Sequence, residues 1–231
     1  SGLRYDYRRS DPGGNYQKRT YTNWSPKINI VYSSHGKRAF TLAYSEGFRA
    51  PSLSELYLYY ESSYGLITKG NPYLTPEKVQ TIEMTYEHPH SDAWFWSISI
   101  FHNRYENMID FVYATPVKAV NREGVTANGL EYQFMWEPFE KLSINGNYSY
   151  LNMWDRGGEP ILYRSEHSGQ VHFNLHLNLL NIRFGMKGWS EQIYYDFLDH
   201  ESTEEEKYKA KLINKYSKQK DFTHFARCLI N

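Results

Sequence analysis

Leu142-Ser143-Ile144-Asn145-Gly146-Asn147-Tyr148-Ser149-Tyr150 is the stretch that decides the fold. Successive side chains of an extended chain point to opposite sides, so Leu142, Ile144, Tyr148 and Tyr150 share one face. Ser143, Asn145, Asn147 and Ser149 share the other. A slip of one residue would exchange the two sets, so the pairing register is strongly specified. The next run repeats the pattern: Val171, Phe173, Leu175, Leu177 and Leu179 oppose Gln170, His172, Asn174, His176 and Asn178.

Working outward, the same period of two recurs along the chain. Leu3, Tyr5 and Tyr7 alternate with Arg4, Asp6 and Arg8. Pro26, Ile28, Ile30 and Tyr32 follow from Trp24, and Phe40, Leu42 and Tyr44 oppose Thr41, Ala43 and Ser45. Ile82, Met84 and Tyr86 alternate with Thr81, Glu83, Thr85 and Glu87. Trp94, Trp96, Ile98 and Ile100 begin a strand expected to run to about Tyr113. Leu130, Tyr132, Phe134 and Trp136 form another, and Ile182, Phe184 and Met186 another. With two weaker strands between Lys207 and Asn231, the count is about eleven, of roughly 9 to 15 residues, long enough to cross a bilayer core when tilted.

The connections alternate in length. Ser33 to Gly36, Pro89 to Asp92, Glu137 to Glu140, Leu180-Asn181 and Lys218 to Asp221 read as short turns. Those near 11–19, 49–76, 114–119, 154–166 and 197–206 are longer. Composition points the same way: aromatic residues make up 17% of the chain, with 22 Tyr and 6 Trp, yet mean hydropathy is -0.72. A wall with one face in lipid and the other in water yields that combination, and its long loops face outside while its short turns face the periplasm. Trp24, Tyr32, Trp94, Trp136 and Tyr150, near strand ends, suit interfacial girdles. A net charge of zero calls for no nucleic acid. Cys228 is the sole cysteine, so no intrachain disulfide forms. Ser1 is not an initiator Met and no signal peptide precedes it, so the chain is read as part of a longer protein.

The longest connection carries the most information. Phe48-Arg49-Ala50-Pro51-Ser52-Leu53 leads into a tyrosine-rich segment (Tyr57, Tyr59, Tyr60, Tyr64), and Gly70-Asn71-Pro72-Tyr73-Leu74-Thr75-Pro76-Glu77 returns to the next strand. A long loop tied at both ends carries function more often than a hairpin turn does. The Glu46 to Tyr57 run together with Gly70 to Glu77 resembles the most recognisable stretch in the barrel of TonB-dependent outer-membrane receptors, importers of siderophores, haem and cobalamin. Asn128-Gly129-Leu130-Glu131 is similar to that family's Gly-hydrophobic-Glu strand start. The motif residues are Phe48, Arg49, Ala50, Pro51, Asn71, Pro72 and Leu74.

The resemblance implies an all-β, antiparallel transmembrane β-barrel portion, about 11 of an expected 22 strands. It implies that residues 1–231 form the C-terminal half of the barrel, with the plug domain, the TonB-contacting segment and the closing strand outside this stretch. Location in the outer membrane of a Gram-negative bacterium follows. So do three partners: outer-membrane lipid, a metal-chelate ligand, and the TonB complex through the plug region. The expected function is active transport of a scarce metal chelate, a ferric siderophore or cobalamin. Haem receptors of the family carry a His ligand between the two motif halves, and residues 52–70 contain none. A passive porin or adhesin barrel is the alternative, and a soluble β-sandwich enzyme a third reading.

Arg49, Tyr57, Tyr59, Tyr60 and Tyr64 are the ligand-binding candidates, tyrosines because they supply rigid amphipathic contact area. Arg49 has a second possible role, tying the loop base to carboxylates of the wall. No catalytic set, cofactor site or metal site is expected. His172 and His176 share a face but stand roughly 13 Å apart at about 3.3 Å per residue, too far for one metal ion. Glu83, Glu87 and Glu131 read as isolated carboxylates on a wet wall, and His88 and His90 as solvated groups flanking Pro89 at a turn.

Overall fold

The computed structural model describes residues 1–13, 17–34, 37–63, 67–112, 116–162, 164–177 and 180–192, and the backbone of 227–230. Tyr64, Asn178, Leu179, the 197–206 connection and the Cys228 side chain lie outside the described residues. In chain order the elements are β1 (Gly2–Ser10), β2 (Arg19–Ser33), β3 (Ala39–Arg49), α1 (Leu53–Tyr57), β4 (Tyr59–Glu61), β5 (Ile67–Lys69), β6 (Glu77–Ser91) and β7 (Trp94–Glu106). Then come β8 (Met108–Val112), β9 (Val117–Arg122), β10 (Val125–Phe139), β11 (Leu142–Trp154), β12 (His167–Leu177), β13 (Leu180–Trp189) and β14 (Arg227–Ile230).

Ten of these strands form one sheet in the order β1-β2-β3-β6-β7-β10-β11-β12-β13-β14, every described pair antiparallel. This is an all-β wall that does not close on itself. Among the described residues the wall has ten strands, β14 pairing with β13 so that Ile182 stands opposite Ile230; of the stretch expected to hold two weaker strands, residues 207–226 lie outside the described residues. Two expected turns tighten, because Pro89 to Ser91 belong to β6 and Glu137 to Phe139 to β10. Leu180 and Asn181, read as a turn, are ladder residues opposite Leu177 and His176. The strand expected to run to about Tyr113 ends at Glu106, because Asn107 adopts φ 55, a left-handed conformation that Asn tolerates better than most residues. The chain leaves the wall there and enters the second, four-stranded sheet, β4-β5-β9-β8.

Register keeps the two faces distinct across the wall. Tyr32, Phe40, Tyr86, Ile98, Tyr132 and Tyr148 stand side by side on consecutive strands. One step along, Thr41, Thr85, Ser99, Glu131, Ser149 and Ser168 stand on the opposite face. The Thr85 and Ser99 hydroxyls meet at 2.8 Å. Along β11 the apolar row from Leu142 to Tyr150 covers about 27 Å of strand. It gives way at the long-loop end to the polar set His102, Asn128 and Asn152. The apolar face is open: Ile28, Ile30, Leu42, Ile82 and Ile100 are all exposed.

Rings cover two glycines where a backbone without Cβ would otherwise face solvent. Phe101 lies over Gly129, and Phe134 over Gly146, each so close that a Cβ would collide with the ring. This cross-strand aromatic cover offsets the weakness of a glycine within a strand.

Candidate functional site

The two connections 50–76 and 107–124 fold into a single body at the long-loop end. Its first element is legible in Ser52-x-x-Glu55, the pattern of a capping box. Ser52 Oγ accepts from the Glu55 amide at 3.2 Å, and the Ser52 amide donates to Glu55 Oε2 at 2.7 Å, which starts the five-residue helix α1. The sequence reading passed over this signal. The helix buries Leu56, fully enclosed with Leu74, Ile109 and Ala119, and Tyr57 packs against that cluster.

The return half of the motif closes against the helix. The Gly70 amide donates to Leu58 O at 2.6 Å and the Asn71 amide to Glu55 O at 2.8 Å. Gly70 passes so near α1 that a Cβ would stand 2.5 Å from the Tyr57 nitrogen, which only glycine permits. Asn71 Nδ2 donates to Ala119 O at 3.0 Å, while its Oδ1 accepts from the Tyr73 amide at 3.1 Å. One side chain thus makes a local turn and joins the two loops. Asn121 answers from the other loop, accepting from the Thr75 amide at 2.9 Å and donating to Thr75 O at 3.0 Å and Asn107 O at 2.8 Å. Neighbouring strands β5 and β9 continue the join with a parallel pairing.

Arg49 sits at the base of this body. Its guanidinium donates to Glu55 Oε1 at 2.9 Å and to Glu77 Oε2 at 3.1 Å, and Glu77 Oε2 also accepts from the Ile109 amide at 2.9 Å. The end of β3, the helix, the start of β6 and the start of β8 are clasped by three side chains. Burial alone would raise the Glu55 carboxyl, but the Ser52 amide and hydroxyl and the Arg49 charge outweigh it and hold the group below its ordinary range.

Among the described residues, the candidates Arg49, Tyr57, Tyr59 and Tyr60 are therefore not brought together as one patch. Arg49 is engaged in the clasp and Tyr57 packs on the core, while Tyr59 and Tyr60, successive on β4, alternate across the strand. Both are well exposed, at 63% and 58%, and Tyr73 reaches 85%. Tyr73, Leu53, Leu58 and Phe111, all exposed apolar residues on the same body, were not among the sequence candidates. Of the motif residues, Pro51 and Leu74 are buried and Asn71 spans the loops, so these serve construction of the body.

A third loop, 155–166, joins through a second small core of Met108, Val125 and Ile161, flanked by Tyr105 and Met153. Arg122 Nε meets Asp110 at 2.6 Å, and its Nη1 lies 3.6 Å from Asp155. Beside it opens a polar cleft of about 900 Å³ lined by residues including His102, Arg104, Glu106, Glu123 and Trp154. His102, Arg104 and Glu106 share the strand face of Ile100, so this cleft stands outside the wall. Among the described residues, no group of three or more His, Cys, Asp or Glu is placed to hold a metal ion.

Known proteins share both pattern and fold. The chain is 39% identical over 72 residues to Hemoglobin-binding protein A of Haemophilus influenzae, a match covering 31% of this chain and 7% of that protein. It is 34% identical over 119 residues to Probable hemoglobin and hemoglobin-haptoglobin-binding protein 4 of the same species, 51% of this chain and 12% of that protein. The siderophore receptor PirA of Pseudomonas aeruginosa superposes with a TM-score of 0.62 at 19% identity, over 79% of this chain and 38% of that one. The ferric enterobactin receptor PfeA of that species, in a mutant form bound to enterobactin, gives 0.60 at 18%, over 81% and 31%. The matches thus span a minor part of each relative. Residues 1–223 match the family described as TonB dependent receptor-like, beta-barrel, and the chain belongs to that family.

Proposed function

We propose that this chain is the wall and loop platform of an outer-membrane receptor that imports iron in a carrier-bound form, driven through TonB, and that the carrier is a haem protein. The observation that carries the reading is the braced body of loops 50–76 and 107–124, which holds Tyr59, Tyr60, Tyr73, Leu53, Leu58 and Phe111 exposed on a rigid base. Exposed aromatic and aliphatic side chains that need little ordering suit a protein surface, where anchor residues carry most of the affinity. The named sequence relatives, both described as haemoglobin-binding, support the same choice. The absence of His from residues 52–70 concerns iron ligation and not the docking of a carrier protein.

A ferric siderophore is the second reading, and it rests on that missing His; the expectation of cobalamin draws on the same absence. Titrating the full-length receptor in detergent with haemoglobin, and separately with a ferric catecholate, distinguishes the two. Haemoglobin is expected to bind, and replacing Tyr59, Tyr60 and Tyr64 together with Ala is expected to weaken it at least about tenfold, or about 1.4 kcal/mol. Binding of the catecholate but not of haemoglobin would transfer the reading to the siderophore. Unchanged haemoglobin affinity in the triple variant would remove these tyrosines from the capture surface.

A further inference from the structure

The short-turn end of the apolar face carries a group of side chains that neither the loop platform nor a plain aromatic girdle uses. His88 and His90, read from sequence as solvated turn residues, are strand residues on β6, on the face of Tyr86 and Met84. His88 stacks on Trp96 with ring centroids 5.2 Å apart and on His90 at 5.6 Å. His90 meets the Trp94 ring edge-on at 5.9 Å, and Trp94 continues to Trp136 at 5.9 Å. Tyr86 closes the other side, its ring 5.5 Å from Trp96.

Polar atoms run through this stack as a chain. Tyr86 Oη lies 3.1 Å from His88 Nδ1, and His88 Nε2 lies 3.4 Å from His90 Nδ1. If Tyr86 donates to His88 and His88 to His90, the chain ends in a free Nε2–H on His90, which is exposed beside Trp94. Arg38 lies one residue beyond the paired Ala39 and Glu87, within electrostatic range of His88. Its guanidinium makes no ion pair among the described residues, whereas its neighbour Lys37 is engaged with Asp92 at 3.8 Å. An unpaired guanidinium and a directed imidazole N–H, both at the rim of a patch of indole rings, combine donors for an anion with a surface for hydrocarbon.

We infer that Arg38, His88 and His90, backed by Tyr86, Trp94 and Trp96, form a headgroup site for the phosphate of an anionic glycerophospholipid. The site rests on the membrane placement of the apolar face in the preceding reading, not on the identity of the imported ligand. Rings at this depth meet the glycerol and upper acyl region, where indoles concentrate. Arg38 takes the phosphate as a planar fork, and His90 adds a donor from the neighbouring strand pair. A tethered phosphate is favoured over a free one because its acyl chains already lie on the apolar face.

Native mass spectrometry of the full-length receptor with added phosphatidylglycerol tests the site. The double variant Arg38→Gln with His90→Gln is expected to lose bound phosphatidylglycerol about tenfold relative to wild type. A control pair at the opposite end of the same face, His102→Gln with Arg104→Gln, is expected to leave occupancy unchanged. Equal occupancy in the first double variant, equal loss in the control pair, or displacement by excess inorganic phosphate would each overturn the proposal. Labelling of the wild-type receptor by a headgroup-photoreactive phosphatidylglycerol keeps the test independent of how the variants fold. Adducts are expected on residues 37–39 and 88–94, and adducts spread evenly over the apolar face would overturn it.

Discussion

The wall and the loop body are built from the same backbone ladders and held together by different physics. The ten-stranded wall has side chains on two separated faces and no shared interior, so Ile28, Ile30 and Ile82 stand open and their burial depends on what surrounds the sheet. The loop body, by contrast, closes small cores of its own around Leu56, Leu74, Ile109 and Ala119, and around Met108, Val125 and Ile161. It caps a helix, clasps Arg49 between two carboxylates and satisfies its amides with Asn71 and Asn121, the devices of a water-soluble domain. The contrast teaches that the solvent of each region sets which side-chain pattern stabilises a β-ladder.

The sharpest way to break this comparison is a charge on the apolar face. Ile98→Arg, in the aligned row between Tyr86 and Tyr132 and one step inward of the Trp96 ring, is expected to cost about 1–3 kcal/mol in urea unfolding of the receptor in micelles, between the interface and midplane values. Gln133→Arg on the opposite face is expected to cost much less. Leu175 lies only two residues from the end of β12, nearer the interface, and Leu175→Arg is expected to cost about 0–1 kcal/mol. Equal costs at Ile98 and Gln133 would show that the two faces meet the same solvent.

A change confined to the loop body tests its independence from the wall. Gly70→Ala forces a Cβ against the α1 backbone and is expected to destabilise the body by about 1–3 kcal/mol. Limited proteolysis within 50–76 is expected to accelerate while heat-modifiable migration of the barrel stays unchanged. Loss of both together would make the wall and the body one cooperative unit.

Acidity offers the smallest effect. Because the Glu55 carboxyl is held below its ordinary value of 4.5 in the folded body, its contribution is present above about that pH and is lost as pH falls through the lowered value. Protection of the α1 amides against hydrogen exchange, relative to the unfolded chain at the same pH, is expected to be steady from neutrality down to about pH 4.5 and to fall below it. Glu55→Gln is expected to abolish that dependence, and an unchanged profile in the variant would assign the loosening to another group.

The wall was legible from residues alone because period-two alternation is a local property: Leu142 to Tyr150 declares two faces whatever lies beside it, and lipid or water then selects between them. The place of the loops was legible from turn lengths, and the family from the two halves of the Phe48 to Glu77 motif. Their mutual arrangement was not, because it depends on contacts between residues far apart in the chain. Asn71 reaches Ala119, Thr75 reaches Asn121, and Glu77 takes the Ile109 amide, none of which leaves a periodic trace. The left-handed turn at Asn107, which takes β8 out of the wall, likewise follows from where its neighbours pack, since Met108 and Ile109 find burial among the loops. The tyrosines show the same division: sequence marks Tyr57, Tyr59 and Tyr60 as alike, and only the packing of α1 against Leu74 and Ala119 turns the first inward and leaves the other two to solvent.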